Sequence, residues 1–231
     1  MAKERGKGFL IEGTDGSGKN TQAERLVKRL NQDYFPSEIM SFPRYNTATG
    51  RMVGQCYLGK QGLGEGDVAW FGDANLVDPK EASVLFALDR LAAKKDMEEI
   101  LNSGKNLILD RYIESNMAHQ GGKAKTPEER DEIIDFIEGL EYRHLKLPKP
   151  DLTIFLHMPY EHAEKLREKR GGLRDGHESN SEHLRKAEET YVYLADRYGW
   201  EKINCTRLGN IKTIEEISDE VYQSIMKTIK Q

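Results

Sequence analysis

The sequence predicts an α/β fold, a parallel sheet with helices on both faces, and three observations carry that expectation. Uninterrupted apolar runs at Gly8–Ile11, Leu107–Leu109 and Leu152–Met158 have the continuity of strands covered on both sides. Helical patterns with recognisable caps lie between them, so strand and helix alternate as in crossover units. At 231 residues the chain has the length of one such domain with a full core.

Taken in order, Gly8–Ile11 is the first strand, followed by Gly13-Thr14-Asp15-Gly16-Ser17-Gly18-Lys19. A helix begins near Asn20, with Ala23, Leu26, Val27 and Leu30 as its inward stripe. Glu38–Phe42 is a weaker second strand, and the glycine-rich stretch Gly59–Asp67 reads as a connection. In "ASVLFALDRLA", Phe86 and Arg90 lie four apart and share a helix face. Leu107–Leu109 is the third strand, closed by Asp110 and Arg111. Thr126, Pro127 and Glu129 form a helix start, with Ile133, Ile134, Ile137 and Leu140 on one face behind it. The run Leu152–Met158 is the fourth strand and Lys202–Cys205 a weaker fifth. Thr213 and Glu216 repeat the capping box before Ile214, Ile217, Val221, Ile225 and Ile229.

Composition narrows the partners. Thirty-five basic against 39 acidic residues leave a formal net charge of −4, so no global positive field holds a nucleic acid or an anionic membrane. Cys56 and Cys205 stand far apart, which excludes a disulfide framework or a CxxC metal knuckle and fits a reducing compartment. The amino-terminal stretch has only a four-residue apolar run, so neither a signal peptide nor a membrane span is expected there, and the cytoplasm is the expected location.

In open parallel sheets, ligands bind beyond the carboxyl ends of the strands, so the informative residues follow each apolar run. After the first run, Gly13, Gly16 and Gly18 let backbone N–H groups converge on phosphate oxygens, and the helix start adds partial positive charge. The candidate nucleoside-triphosphate-binding set is Gly13, Thr14, Asp15, Gly16, Ser17, Gly18, Lys19, Asn20 and Thr21. Lys19 supplies a full charge to the β and γ phosphates. Asn20 occupies the place where such loops carry a hydroxyl for magnesium, so Mg²⁺ is expected to lean on the triphosphate, on water and on Asp15 and Asp110. Glu182, in the acidic turn further on, completes the candidate metal set.

Asp110 and Arg111, at the end of a buried strand, face the same crevice, where an arginine fork grips a phosphate in bidentate fashion. Phe86 offers a plate on which a base stacks, with Arg90 as a donor beside it; the same spacing also suits a core phenylalanine and a solvated arginine. The stretch Lys165–Arg174 reads either as a solvated helix with i,i+4 pairs or as a lid that swings arginines over a transferring phosphoryl group.

Together, "IEGTDGSGKNTQ", "FPRY", "ASVLFALDR", "DRYIESNMAHQGG", "LPKPDLTIFL" and "RDGHE" resemble the thymidylate kinase family, in order and over nearly the whole length. The resemblance implies a P-loop NTPase-type three-layer α/β/α fold with a five-stranded parallel sheet. A single nucleotide kinase domain over 1–231 would carry a helical lid at about 165–183. It also implies ATP as donor, magnesium, dTMP as acceptor and a homodimer. Carried onto this sequence, Asp15, Lys19 and Arg111 are catalytic, joined by Arg170 and Arg174 from the lid with Arg167 next. The implied dTMP-binding set is Asp15, Phe42, Arg44, Tyr45, Phe86, Arg90, Arg111, Asn116 and His119, with Pro43 walling the pocket. Some relatives place an arginine after the loop aspartate, where this chain has Gly16; His119 stands where relatives carry an aromatic near the sugar. A kinase for another pyrimidine monophosphate (dUMP or UMP), or a catalytically weak nucleotide-binding module, remains the alternative.

Overall fold

Five strands, β1 (Gly8–Gly13), β2 (Ser37–Ser41), β3 (Asn106–Asp110), β4 (Leu152–His157) and β5 (Glu201–Asn204), form an all-parallel sheet in the order β2-β3-β1-β4-β5. The structure, a computed structural model, describes residues 4–63, 69–171, 176–177 and 180–230, the side chain of Arg170 excepted. Residues 64–67 of the glycine-rich stretch, Arg174, Asp175 and Glu178 lie outside the described residues.

Eight α-helices are described: α1 (Lys19–Gln32), α2 (Ala48–Arg51), α3 (Pro79–Asn102), α4 (Ile113–Gly121), α5 (Pro127–Glu138), α6 (Tyr160–Arg170), α7 (Ser181–Tyr198) and α8 (Ile214–Ile229). A short antiparallel ribbon, β6 (Thr206–Arg207) with β7 (Asn210–Ile211), precedes α8. Among the described residues no helix is long and apolar enough to cross a membrane.

The continuity of the strand runs has a direct cause. Side chains alternate across a strand, and both faces of this sheet are covered. Leu10, Leu107, Leu109 and Phe155 pack under α3, α4, α5 and α7, whereas Phe9, Ile11, Ile108, Ile154 and Leu156 pack against α1, α6 and α8. Burying each such side chain fully contributes about 1.5–3 kcal/mol.

The caps at Thr126 and Thr213 form as the sequence indicates: Thr126 accepts from the Glu129 amide, and Thr213 and Glu216 close a full capping box. The structure adds a third, Asp78, which accepts from the amides of Lys80 and Glu81 at the start of α3. Four stripe positions differ. Ile214 is 49 % exposed because it sits in the first turn of α8, beyond the edge of the sheet layer. Leu140 falls past the end of α5 and, like Val27 and Ile229, is only half-buried. Helical turns loosened to i→i+5 hydrogen bonds occur at Met52–Tyr57 and Gly139–His144, two places that supply polar groups to the site described next.

Candidate active site

The phosphate loop connects β1 directly to α1. Gly18 takes the left-handed conformation as the residue before the helix, and Lys19 is the first helical residue. Gly16, at φ +94°, is required for packing as well as conformation: a Cβ there would stand 2.7 Å from the Ala163 carbonyl oxygen and 3.1 Å from Cγ of Arg167. No arginine fits at that position, because α6 presses against the loop. Thr14 Oγ1 donates to the Met158 carbonyl at 3.1 Å, which ties the loop to the end of β4. Ser17 Oγ is buried without a hydrogen-bond partner. Lys19 Nζ donates to the Thr14 carbonyl at 2.8 Å and lies 3.7 Å from the Asp15 carboxylate.

The end of β3 faces this loop. Arg111 has φ +63°, an uncommon and strained conformation for an arginine that costs roughly 1–3 kcal/mol. What holds it there is Glu12, the last side chain of β1 on the Leu10 face and fully buried. Glu12 accepts from the amides of Tyr112 at 2.9 Å and Ser115 at 3.1 Å, and from the hydroxyls of Ser115 and Tyr191. It thereby satisfies orphan N–H groups at the start of α4, which Tyr112 does not cap. Burial pushes its carboxyl pKa up, against the attraction of Arg111 and Lys19. Arg111 itself donates to the Asp15 carboxylate and, at 3.3 Å, to Ser115 Oγ. Asp15 thus lies between two cations, Lys19 and Arg111.

Asp110, 8 % exposed, also has its pKa raised by burial, opposed by Lys19 and by the amide of Asn20. Asn20 Nδ2 donates to Asp110 Oδ2 at 3.3 Å, so the amide orients this carboxylate. Two carboxylates beside a lysine and an asparagine suit a hard cation that keeps its waters and borrows phosphate oxygens. Glu182 does not join them. It is exposed in the first turn of α7 and pairs with Lys186 at 2.9 Å. In the first turn of α7 Glu182 takes the solvent side, while the neighbouring His183 takes the buried one.

A cavity of about 570 Å³ runs from Asp15, Lys19, Asn20, Thr21 and Asp110 to Phe42, Tyr45, Phe86, Arg90, Asn116 and His119. Gly13, Thr14 and Ser17 lie behind its wall rather than along it. Arg90 is 2 % exposed, and Nε and Nη2 grip Glu141 at 2.5 and 2.7 Å, with Nη1 donating to the Tyr112 carbonyl at 3.3 Å. Arg90 is thus a buried, oriented donor and not the solvated arginine of the alternative reading. Asn116 Nδ2 donates to the same Glu141 at 3.2 Å, while its Oδ1 is buried and unpartnered. Phe86 stands edge-on to Tyr57 with ring centroids 5.5 Å apart.

Arg44 departs from expectation. Its guanidinium lies against Asp89 and, at 3.6 Å, Asp96, and it is absent from the cavity wall. Asp89, 1 % exposed, also accepts from the Arg44 amide at 2.8 Å, so this carboxylate anchors the turn that presents Phe42 and Tyr45.

On the lid side, the side chain of Arg170 and all of Arg174 lie outside the described residues. Among the described lid side chains, the Arg167 guanidinium enters the crevice: it is 3 % exposed and donates to the Asp15 carbonyl and to Glu164. Its Nε is buried and unpartnered. Glu12, Glu141, Lys60 and His177 are site residues that sequence reasoning did not reach; the last two line the cavity. His119, His177 and His183 form a buried group, with Nδ1 of His119 3.1 Å from Nε2 of His183. Desolvation, then mutual repulsion, holds His119 and His177 well below the usual histidine range. Desolvation and nearby lysines bring His183 down to about 4.

A glycine loop between β1 and α1, faced by a strand-end arginine and bordered by a cavity large enough for a base, defines a P-loop nucleotide kinase. The family model described as thymidylate kinase matches residues 11–217. A probable thymidylate kinase of Pyrobaculum aerophilum is 32 % identical over 95 % of this chain and 96 % of its own length. The thymidylate kinase of Dictyostelium discoideum is 30 % identical over 94 % of this chain and 84 % of its own. Among solved structures, a thymidylate kinase from Candida albicans shares the fold, with a TM-score of 0.72 at 24 % identity over 96 % of this chain and 92 % of that one. The chain belongs to the thymidylate kinase family. It is an ATP-dependent phosphotransferase that phosphorylates dTMP on the way to dTTP.

Proposed function

We propose that ATP lies along the loop from Gly13 to Thr21 and dTMP in the cavity beyond Arg111, so that their phosphates meet between Lys19 and Arg111. The observation that supports this reading is the Asp15 carboxylate, which contacts both Lys19 and Arg111 and so brings the two cations to one point of the crevice. A phosphate oxygen of dTMP attacks the γ-phosphorus in line, and the bond to the ADP oxygen breaks. The acceptor is already anionic at neutral pH, so no strong general base is needed. Lys19, Arg111 and the lid arginine Arg167 share the charge that develops, and removing one such contact costs about 3–4 kcal/mol.

Magnesium supplies further charge neutralisation when bound, and Asp110 and Asp15 are the residues fitted to hold it, with Asn20 orienting Asp110. Phe86 stacks on thymine, and Arg90 and Asn116 meet its polar edge. Support for this comes from the clamp of Glu141, which engages three of the five guanidinium N–H groups together with the Tyr112 carbonyl and leaves two. Arg44 serves this pocket through Asp89 and the turn rather than by touching phosphate.

The reading extends to a cytoplasmic homodimer. Val84, Leu88 and Leu91, 50, 41 and 38 % exposed, form an apolar stripe along α3. A Leu88→Glu variant sedimenting as a dimer would remove that stripe from the interface.

An ADP-release assay across dTMP, dUMP, UMP and dCMP, with magnesium varied, tests the whole. We expect dTMP to have the highest kcat/KM and turnover to need magnesium. The margin over dUMP rests on one methyl group, worth about 1–3 kcal/mol. A better acceptor among the other three would overturn the assignment of the base pocket.

A further inference from the structure

Three histidines from separate segments converge beside the crevice. His119 lies on α4, His177 in the stretch between α6 and α7, and His183 in the first turn of α7. Their exposures are 8, 5 and 5 %. One ring nitrogen of each lies within 4.8 Å of those of the other two, and the closest pair, Nδ1 of His119 and Nε2 of His183, is 3.1 Å apart. Nitrogens bound at about 2.0–2.1 Å around a tetrahedral ion stand about 3.3 Å from one another. The closest pair already has that spacing. The ring centroids of His177 and His183 are 4.2 Å apart, so the third imidazole lies against this pair.

We propose that His119, His177 and His183 form a binding site for one divalent transition cation of the zinc class, separate from the magnesium position at Asp15 and Asp110. Three facts converge on this. A hydrogen-bonded pair uses one N–H and one lone pair between His119 and His183, whereas an ion takes a lone pair from all three rings. Three imidazole nitrogens select Zn²⁺, Co²⁺ or Ni²⁺ over Mg²⁺ and Ca²⁺, which prefer oxygen. The Tyr57 hydroxyl stands 3.2 Å from Nε2 of His177 and is held in turn by Lys123 Nζ at 3.0 Å, an outer partner of the kind that orients a ligating imidazole. A bound ion fastens α4, α7 and the 176–177 stretch together at one point, and a water completes its fourth position.

The test uses the full-length protein, stripped with chelator and free of nucleotide. Titration with Zn²⁺ should show one equivalent bound, and at a hundredfold excess over Kd the melting temperature should rise by about 5–10 °C. Co²⁺ should give the intense visible bands of a tetrahedral ion, unaffected by millimolar-scale excess of Mg²⁺. His119→Gln, His177→Gln and His183→Gln should each weaken binding at least tenfold, and the exposed His144→Gln should leave it unchanged. The cobalt spectrum is read on the unsubstituted chain, so the outcome does not depend on whether each variant folds. Absence of zinc uptake and of the cobalt bands would reduce the cluster to a hydrogen-bonded stack and overturn the proposal. So would binding that survives all three substitutions, which would locate the ion elsewhere.

Discussion

The two ends of the crevice are built in different ways. At the donor end, nine consecutive residues from Gly13 to Thr21 carry the phosphate cradle, and its shape comes from backbone conformation. At the acceptor end, Phe42, Phe86, Arg90, Asn116 and Glu141 come from segments spread over about a hundred residues and are held by buried ion pairs and hydrogen bonds. A contiguous loop can be altered at one side chain without loosening the core. A network of buried charges cannot, because removing one member strands its partners in a low-dielectric interior.

That contrast is open to direct attack. The largest effect is expected from Glu141→Ala, which leaves Arg90 buried without its carboxylate. It should cost about 3–5 kcal/mol and lower the melting temperature by roughly 10 °C or more, read by calorimetry. Lys19→Ala should behave in the opposite manner, losing about 10²–10³ in kcat with a melting temperature close to that of the unsubstituted protein. Equal losses of stability in both variants would erase the distinction.

The polar network beneath the acceptor end should also respond to pH. Desolvation raises the carboxyl of Glu114 from 4.5 to about 7, against a hydrogen bond from Tyr142. The folded protein therefore holds this proton more tightly than the unfolded chain does. The associated stability is fully present below pH 4.5 and is lost as pH rises through about 7. The change amounts to about 3 kcal/mol over that window. Urea melts from pH 4.5 to 8 should show it, and Glu114→Gln should flatten the profile. A profile of unaltered slope in that variant would assign the dependence to another group.

Two smaller changes probe the donor end. Gly16→Ala forces a Cβ onto the Ala163 carbonyl at a positive φ. It should cost about 1–3 kcal/mol in stability and reduce kcat by displacing α6 and Arg167. Asn20→Ser removes the hydrogen bond to Asp110, worth about 0.5–1.5 kcal/mol. It should shift the magnesium concentration for half-maximal activity by no more than about tenfold and leave the melting temperature unchanged.

Local pattern made the donor end legible. The five strand runs, the phosphate loop, the caps at Thr126 and Thr213 and the strand-end position of Asp110 and Arg111 are each written within about ten residues. Arg90 and Phe86 were legible as neighbours, but the meaning of Arg90 depends on Glu141, 51 positions away on a loosened turn that no periodicity marks. Arg44 misled because an arginine beside an aromatic turn carries no sign of which carboxylate it faces; Asp89 on α3 decided that. Glu182 misled for the converse reason, since an acidic residue in a charged run gives no hint of which side of its helix turn it occupies.

By itself, then, the sequence determined the alternation of strand and helix, the parallel sheet, the phosphate loop and the family of the enzyme, because hydrophobic period, glycine conformation and capping act over short distances along the chain. Only the tertiary structure decided that Glu12 pins the strained Arg111, that Glu141 clamps Arg90, that Arg167 reaches the crevice and that three histidines meet. Those are contacts between distant segments. Their energy depends on burial and on the direction of each side chain, which the order of residues does not record until the chain has closed on itself.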